Sequence, residues 1–292
     1  MPDFPAVSVL MTAYNRAKYI GMAIESVLAS TFRDFELVVV DDGSTDGTQD
    51  IVKGFATRDS RIRFHQNETN LGDYPNRNRA ASLARGKWLK YVDADDYIYP
   101  HGLEVLVSTM AKFPDAGYGL CCFQQLREQP YPLCLSPQEA YRSHYFDRAL
   151  MPQIFNRTPL ASIIAKSAWE AVGGFSPKRM TGDTDMWHRL SKQFSVVLMQ
   201  GGVVWYRVHD QQESSELSTD SDLWGLRYQQ ITLSALHDLN VPLTSVERAQ
   251  IARRMSRGNR RHAAKLLFRG KLRDSIAYFR KAGEFALLTD AF

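Results

Sequence analysis

Three short runs in the first hundred residues are mostly apolar and rich in strand-forming residues: Val7-Ser8-Val9-Leu10-Met11, Phe35-Glu36-Leu37-Val38-Val39-Val40 and Trp88-Leu89-Lys90-Tyr91-Val92. Helical patterns separate them. Ala17 to Ser30 carries Ile20, Ile24, Val27 and Leu28 at helical spacing. Thr48 to Thr57 and Asp73 to Arg85 read as two more helices, and Pro75 restricts the second to a start near that point. Arg61 to Gln66 is a further short strand. Such alternation predicts an α/β fold with a mostly parallel central sheet flanked by helices on both faces. Sheets of this kind bind ligands at the carboxyl ends of their strands. Two acidic segments fall there, Asp41-Asp42 and Asp93-Ala94-Asp95-Asp96.

The second segment places three carboxylates in four residues, and only Lys90 lies close by in sequence to offset them. Continued strand alternation would point Asp93 and Asp95 to the same side. Paired carboxylates suit a hard divalent cation that also holds a phosphate. A solvated acidic turn is the other reading, and the tetrapeptide alone does not separate the two.

A chain of 292 residues is long enough for one large domain or two smaller ones. No apolar run approaches the roughly 18 residues of a membrane span. Met1-Pro2-Asp3-Phe4-Pro5 lacks the basic and apolar regions of a signal peptide. Cys121, Cys122 and Cys134 match no zinc spacing, and the first two read as small core residues in a reducing compartment. The expected location is cytoplasmic, at most peripheral at the inner face of the cell membrane. The net charge of +4 is unevenly spread: Val241 to Phe292 holds 12 Lys and Arg against 4 Asp and Glu. A mildly acidic body with a basic tail suggests an anionic partner for the tail, or only a solvated helical face.

Beyond residue 98 the pattern is less regular. Prolines break up Gln124 to Arg157 into loops and short helices. Leu160 to Ala165, Val196 to Met199 and Val203 to Val208 read as strands, and Ser167 to Val172 and Asp183 to Gln193 as helices. From Asp222 the pattern is helical to the end, with Gly270-Lys271 between two helices. No nucleophile elbow, P-loop or dinucleotide glycine motif occurs.

Thr12-Ala13-Tyr14-Asn15, Asp41-Asp42-Gly43-Ser44-Thr45-Asp46 and Asp93-Ala94-Asp95-Asp96 together resemble the nucleotide-sugar-binding half of a family 2 glycosyltransferase of the GT-A fold. Asn70-Leu71-Gly72 with Arg77-Asn78 is similar to the family's segment before the DxD strand. Gly173-Gly174-Phe175 and Gly182-Asp183-Thr184-Asp185-Met186-Trp187 resemble its acceptor-side pattern, and Tyr206-Arg207-Val208-His209 its late loop. The resemblance implies a transferase domain over 1–218, with a nucleotide-binding half of about 1–98 and an acceptor-side half of about 99–218. A helical region would fill 219–292.

It implies inverting, metal-dependent transfer of a sugar from a nucleoside-diphosphate sugar, UDP-linked, to a hydroxyl of a saccharide or lipid-linked acceptor in bacterial surface polysaccharide or lipopolysaccharide synthesis. Thr12, Tyr14, Asn15, Asp42, Arg77, Asp93 and Ala94 would bind the nucleotide. Within that set Tyr14 would stack on the base, Asp42 would accept its imino N–H, and Arg77 would meet the phosphates or an acidic neighbour. Asp95 and His209 would hold Mn²⁺ or Mg²⁺, with Asp96 and Arg207 supporting phosphate or metal. Asp183 would be the general base, with Asp185 as the alternative; Trp187 reads as core. Two positions depart from the family. Gly182 replaces a glutamate, and Tyr74-Pro75 is bulkier than the small residues often found there.

The alternatives are a non-catalytic sugar-nucleotide-binding subunit and a nucleotidyltransferase. The latter is disfavoured because the loop after the first strand holds no glycine. The basic face Arg253, Arg254, Arg257, Arg260, Arg261 and Lys265 suggests peripheral contact with anionic membrane, or a soluble cap and dimer surface. Nucleic acid is not expected, since stacking aromatics are not interleaved with these cations.

Overall fold

The computed structural model describes residues 4–122, 130–147, 154–178, 180–210, 212, 221–289 and 291. Two compact units divide the chain, Met1–Arg207 and Val208–Phe292.

In the first unit β1 (Val7–Ala13), β2 (Phe35–Asp41), β3 (Ile62–Gln66) and β4 (Trp88–Tyr91) run parallel in the spatial order β3-β2-β1-β4. The helices between them are α1 (Ile20–Leu28), α2 (Thr48–Ala56) and α3 (Asp73–Leu83). All seven residues of β2 are buried, as expected of a strand covered on both faces. β1 is central: Leu10 lies opposite Val38 of β2 and Tyr91 of β4. The carboxyl ends of β1, β2 and β4 are thereby gathered at one edge.

The chain then passes through β5 (Tyr97–Ile98), α4 (Gly102–Met110), β6 (Ala116–Cys122), β7 (Leu133–Leu135) and α5 (Pro137–Phe146). It continues through β8 (Ser162–Ala165), α6 (Lys166–Val172), α7 (Gly182–Ser191), β9 (Ser195–Gln200) and β10 (Val204–Trp205). β8 joins β4 to β6 by antiparallel pairing, β9 runs parallel to β6, and β7 closes the edge antiparallel to β9. The eight-stranded sheet is thus mixed on its second half and parallel on its first. Ile20, Ile24 and Val27 of α1 and Leu103, Leu106 and Met110 of α4 bury against one layer of the core.

Several elements differ from the sequence expectation. β4 stops at Tyr91, and the Asp96 N–H closes a turn on the Asp93 carbonyl at 3.0 Å, so strand alternation does not govern the acidic residues. Pro159–Ala161 is a 3₁₀ turn rather than the start of a strand. The strand expected over Val203 to Val208 shrinks to β10, which pairs with β5. Gln124 to Arg157 lies partly outside the described residues; within it β7 is a strand, and α5 starts from a reciprocal Ser136–Glu139 cap. The expected boundary at residue 218 also lies outside the described residues.

In the second unit α8 (Ser221–His237), α9 (Ser245–Phe268) and α10 (Leu272–Thr289) follow. A Thr244–Glu247 capping box opens α9. The buried Arg248 guanidinium donates to the carbonyls of Ala235, Leu236, Asp238, Val241 and Leu243, supplying donors that the last turn of α8 cannot find within its own helix. Gly270, at φ 73°, makes the turn between α9 and α10. Serine hydroxyls bind the hairpin together, Ser256 to the Ala282 carbonyl and Ser275 to the Ala263 carbonyl.

The amino end of the main sheet is fastened by one buried carboxylate. Glu36 of β2 accepts from the Ser8 hydroxyl at 2.6 Å, the Arg85 N–H at 2.7 Å, and the Arg63 and Arg85 guanidinium groups at 2.9 Å each. Burial favours the neutral acid, but these donors outweigh it and hold Glu36 below the usual carboxylate range. Glu36→Ala leaves buried donors unmatched, and urea denaturation at neutral pH is expected to show a loss of about 2–4 kcal/mol. Because the folded pKa is depressed, this contribution is present at pH 7 and fades as pH falls through and below the ordinary value of 4.5, so the difference between variant and wild type shrinks in acid.

Candidate active site

The loop after β1 and the loop after β2 are locked together by polar contacts. Asn15, at φ 52°, donates its N–H to the Ser44 hydroxyl and accepts the Thr45 N–H at 2.9 Å through its side chain. Asp41 is a turn-former, receiving the N–H groups of Gly43 and Ser44 and the Gln49 amide. Asp42 is buried and faces the other way. Its carboxylate receives the Leu71 N–H at 2.8 Å, the Gly72 N–H at 2.9 Å and the Asn67 amide at 2.8 Å. A carboxylate has about four acceptor sites, so one remains for a ligand donor. Tyr14, in the loop after β1, is 48% exposed. Thr12 lies on the last part of β1, opposite Val40.

The acidic turn after β4 is neutralised from a distance. Arg16 Nε donates to Asp95 Oδ2 at 2.9 Å, and Arg77 Nη1 donates to Asp93 Oδ1 at 2.6 Å. Arg77 also holds Asp73 at 2.7 Å. Burial opposes the charge on Arg77, but Asp73 and Asp93 outweigh it. Asp96 accepts the Arg207 backbone N–H at 2.9 Å, and Arg207 Nε donates to the Asp95 carbonyl at 2.7 Å. Ala94 is buried between them. Lys90 does not offset the cluster by direct contact. It is fully buried in β4, gives its ammonium hydrogens to the carbonyls of Tyr91 and Leu160, and burial lowers its pKa to about 8.

Asp96 remains undercompensated. Its Oδ2 is buried with no hydrogen-bond partner among the described residues, and burial with the adjacent Asp93 and Asp95 raises its pKa well above the carboxylate range. A proton or a bound cation would satisfy this one oxygen. Among the described residues no group of three or more His, Cys, Asp or Glu side chains could hold a metal ion. A cation shared with substrate phosphates needs only one or two carboxylates, so Asp95 with its hard oxygens fits such a shared site. His209 opens the second unit, where its N–H donates to the Gln212 side chain at 3.2 Å.

On the other side α7 begins at Gly182, and the two candidate bases have opposite surroundings. Asp185 is gripped by Lys178 at 2.5 Å and Arg189 at 2.8 Å; burial would raise its pKa, but these cations hold it below the usual range. Burial pushes Asp183 up to about 6, against the Thr184 N–H and the Arg77 charge. Trp187 is core: fully buried, stacked on Tyr118, its indole N–H on the Arg157 carbonyl at 2.6 Å. The Gly173-Gly174-Phe175 segment is tied to α3 by Asn78, which donates to the Phe175 carbonyl and accepts its N–H, both at 2.8 Å.

Sequence reasoning missed two participants. Arg16 was passed over because its partner Asp95 is 79 residues away, and only the adjacency of β1 and β4 brings them together. Tyr74 looked merely bulky. Its ring stacks on Phe175 with centroids 5.5 Å apart, and its hydroxyl accepts the Asp183 N–H at 3.3 Å.

The model for Glycosyl transferase family 2 matches residues 8–172, more than half of the chain. The chain belongs to that family and is a glycosyltransferase. An uncharacterized glycosyltransferase of Rickettsia prowazekii is 26% identical over 228 residues, covering 75% of this chain and 70% of its own length. Another, of Methanocaldococcus jannaschii, is 41% identical over 104 residues, which is 35% of this chain and 36% of that protein. Among solved structures, S. aureus TarS in complex with UDP-GlcNAc matches with a TM-score of 0.69 at 20% identity, covering 97% of this chain and 81% of its own. The mannosyltransferase PcManGT from Pyrobaculum calidifontis, in complex with GDP-Man and Mn²⁺, matches with a TM-score of 0.60 at 16% identity, over 99% and 86% of the two chains. At these identities the structural likeness shows the GT-A fold.

The two departures from the family pattern are one feature. A Cβ on residue 182 would lie 2.7 Å from ring atoms of Tyr74, closer than side chains pack, so the large residue at 74 requires glycine at 182. Gly182→Ala alone is expected to cost about 2–3 kcal/mol in chemical denaturation. Combined with Tyr74→Ala, which clears the space, it should cost about 1 kcal/mol or more less than the sum of the single changes. Additive losses would show that the ring and the glycine are not coupled.

Proposed function

We propose that this glycosyltransferase works with inversion, moving a sugar from a nucleoside-diphosphate sugar to a hydroxyl of a saccharide or lipid-linked acceptor, with Asp183 as the general base. The observation that carries the reading is the contrast on α7: Asp183 is half-buried with its pKa raised to about 6, while Asp185 is committed to Lys178 and Arg189. A base near neutrality is the form that accepts a hydroxyl proton efficiently. The Arg77 charge reaches both Asp183 and Asp93, so one guanidinium couples the acceptor side to the donor side.

On the donor side Tyr14 stacks on the base, the remaining acceptor site of Asp42 takes a ring N–H, and Asp93, paired with Arg77, serves the ribose. Thr12, Asn15 and Ala94 complete the nucleotide-binding set by resemblance. Asp95 holds a divalent cation, Mn²⁺ or Mg²⁺, with Asp96 and Arg207 in support. When bound, that cation stabilises charge on the departing diphosphate. Asp183 Oδ takes the proton of the acceptor hydroxyl. His209 is the further metal or diphosphate contact by resemblance. UDP is the expected donor nucleotide by resemblance, with Asp42 accepting the imino N–H of uracil; guanine N1–H offers the same donor, and the two solved relatives carry UDP-GlcNAc and GDP-Man respectively, so both nucleotide classes belong in the donor screen. Surface polysaccharide or lipopolysaccharide synthesis is the family-based setting. The non-catalytic reading rested on the missing glutamate at 182, and the Tyr74 ring supplies a steric reason for that change.

The test is release of nucleoside diphosphate from UDP- and GDP-sugars with Mn²⁺ present. Asp183→Asn and Asp95→Ala are each expected to lower turnover by about 10²-fold or more while the fold is retained. In the wild type the rate should rise with pH through an apparent pKa near 6, the value to which Asp183 is pushed, and the acid limb should vanish in Asp183→Asn. Donor binding without turnover in the wild type, whatever the donor, would overturn the catalytic reading. Asp183 also has a stability signature. Its raised pKa means that the folded state holds the proton more tightly than the unfolded state between 3.8 and about 6, so stability falls as pH rises across that window. Asp183→Asn removes this cost, and at pH 7 it should stabilise by about 1–3 kcal/mol in urea denaturation.

A further inference from the structure

We propose that the α9–α10 turn and the outward face of α10 form a docking element for an anionic lipid surface. α10 has two apolar faces. The inner one, with Tyr278, Ala282, Phe285 and Leu288, is buried within the second unit. The outer one carries Leu272, Ile276, Phe279 and Leu287 at i, i+4, i+7 and i+15, and these residues are 59%, 51%, 46% and 77% exposed. The last turn of α9 adds Leu267 and Phe268, the latter 94% exposed. Single exposed apolar residues are ordinary, but a stripe continued through a turn marks an interaction surface.

The charges around the stripe select the occupant. From Leu267 to Gly283 there are five Lys and Arg residues and one acid, Asp274. Arg269, Lys271, Arg273 and Arg280 are all exposed. Arg273 and Arg280 each follow a stripe residue by one position, so they sit about 100° around the helix and rim the apolar face. Phe268 itself lies seven, eleven and fourteen residues after Arg261, Arg257 and Arg254, on the arginine-bearing face of α9. A two-fold contact with a second copy would set this cationic rim against itself. An anionic bilayer satisfies both features: apolar side chains enter the acyl boundary while the rim meets the headgroups. No helix among the described residues is long and apolar enough to cross a membrane, so the element lies in the interface. The inference does not rest on the reading of the active site.

The test is co-sedimentation of the full chain with vesicles of phosphatidylcholine alone and of phosphatidylcholine mixed with phosphatidylglycerol. Binding is expected on the mixed vesicles, weakening with added salt, and roughly tenfold weaker or more on phosphatidylcholine alone. The combined change Phe268→Ser, Leu272→Ser and Ile276→Ser should weaken binding to the mixed vesicles about tenfold or more, as should Arg269→Glu, Lys271→Glu and Arg273→Glu together. A polarity-sensitive dye on Phe268→Cys in a Cys134→Ser background should shift to the blue on mixed vesicles, which keeps the test independent of how the multiple variants fold. The proposal is overturned by no binding to mixed vesicles, by variants that bind as wild type, by an unshifted dye, or by a sedimentation-velocity dimer that the serine variant dissolves without loss of vesicle binding.

Discussion

Three carboxylates packed into one turn at the end of a buried strand must be compensated, and two arginines from elsewhere in the chain do most of it. Arg16 reaches Asp95 and Arg77 reaches Asp93. Neither pairing is local, and each fixes part of the architecture. Arg16 can meet Asp95 only because β1 and β4 are parallel neighbours whose carboxyl ends coincide. Arg77 can meet Asp93 only because α3 delivers its first turns to the same edge. An arginine is suited to this work because its fork donates in several directions at once. Arg16 uses that capacity to hold the carbonyls of Tyr14 and Asn15 as well, so the loop after β1 and the acidic turn are braced by one side chain.

α3 extends the same constraint to the start of α7. Within five residues it presents Tyr74 toward Asp183, Arg77 toward Asp93 and Asn78 toward the Gly173-Gly174-Phe175 segment. Phe175 closes the arrangement by contacting both the Tyr74 ring and the Tyr91 ring, the latter edge-on at 5.4 Å. The helix has no strong amphipathic pattern, because its inward side must be polar enough to hold Asn76 and Arg77 in buried hydrogen bonds. It is retained by what it holds rather than by an apolar stripe.

Much of the parallel half was legible in the sequence because its physics is local. Continuous apolar runs such as Leu37 to Val40 can only be strands covered on both sides, and helices of opposite period between them leave little freedom in topology. The acidic turn was visible for the same reason, being tied to a strand end, whereas Asp42 and Asp183 were singled out by resemblance to the family's motifs. What was hidden depended on contacts between distant residues. Lys90 looked like the counter-ion for the acidic turn, but its place within β4 turns it into the core. The three-residue β7 has too few positions to show a period, and its partner is β9. The meaning of Gly182 could not be read without the Tyr74 ring, which is far away in sequence and in contact only after folding.

The two aspartates at the start of α7 show how environment divides identical groups. Both are in the first turn of the helix, where the dipole favours the charged form. What differs is the neighbour on the next turn and loop. Asp185 points to Arg189 one helical turn on and to Lys178 before the helix, and two cations hold it ionised. Asp183 has the Tyr74 ring and hydroxyl beside it and no direct cation, so burial dominates and its pKa rises. The large residue at 74 thus has two effects from one cause. It excludes a side chain at 182, and it packs beside the neighbouring carboxyl, whose burial raises its pKa. A glutamate at 182 would have placed a second negative charge next to Asp183; here an aromatic ring takes that space, and burial alone is the largest influence raising the Asp183 carboxyl.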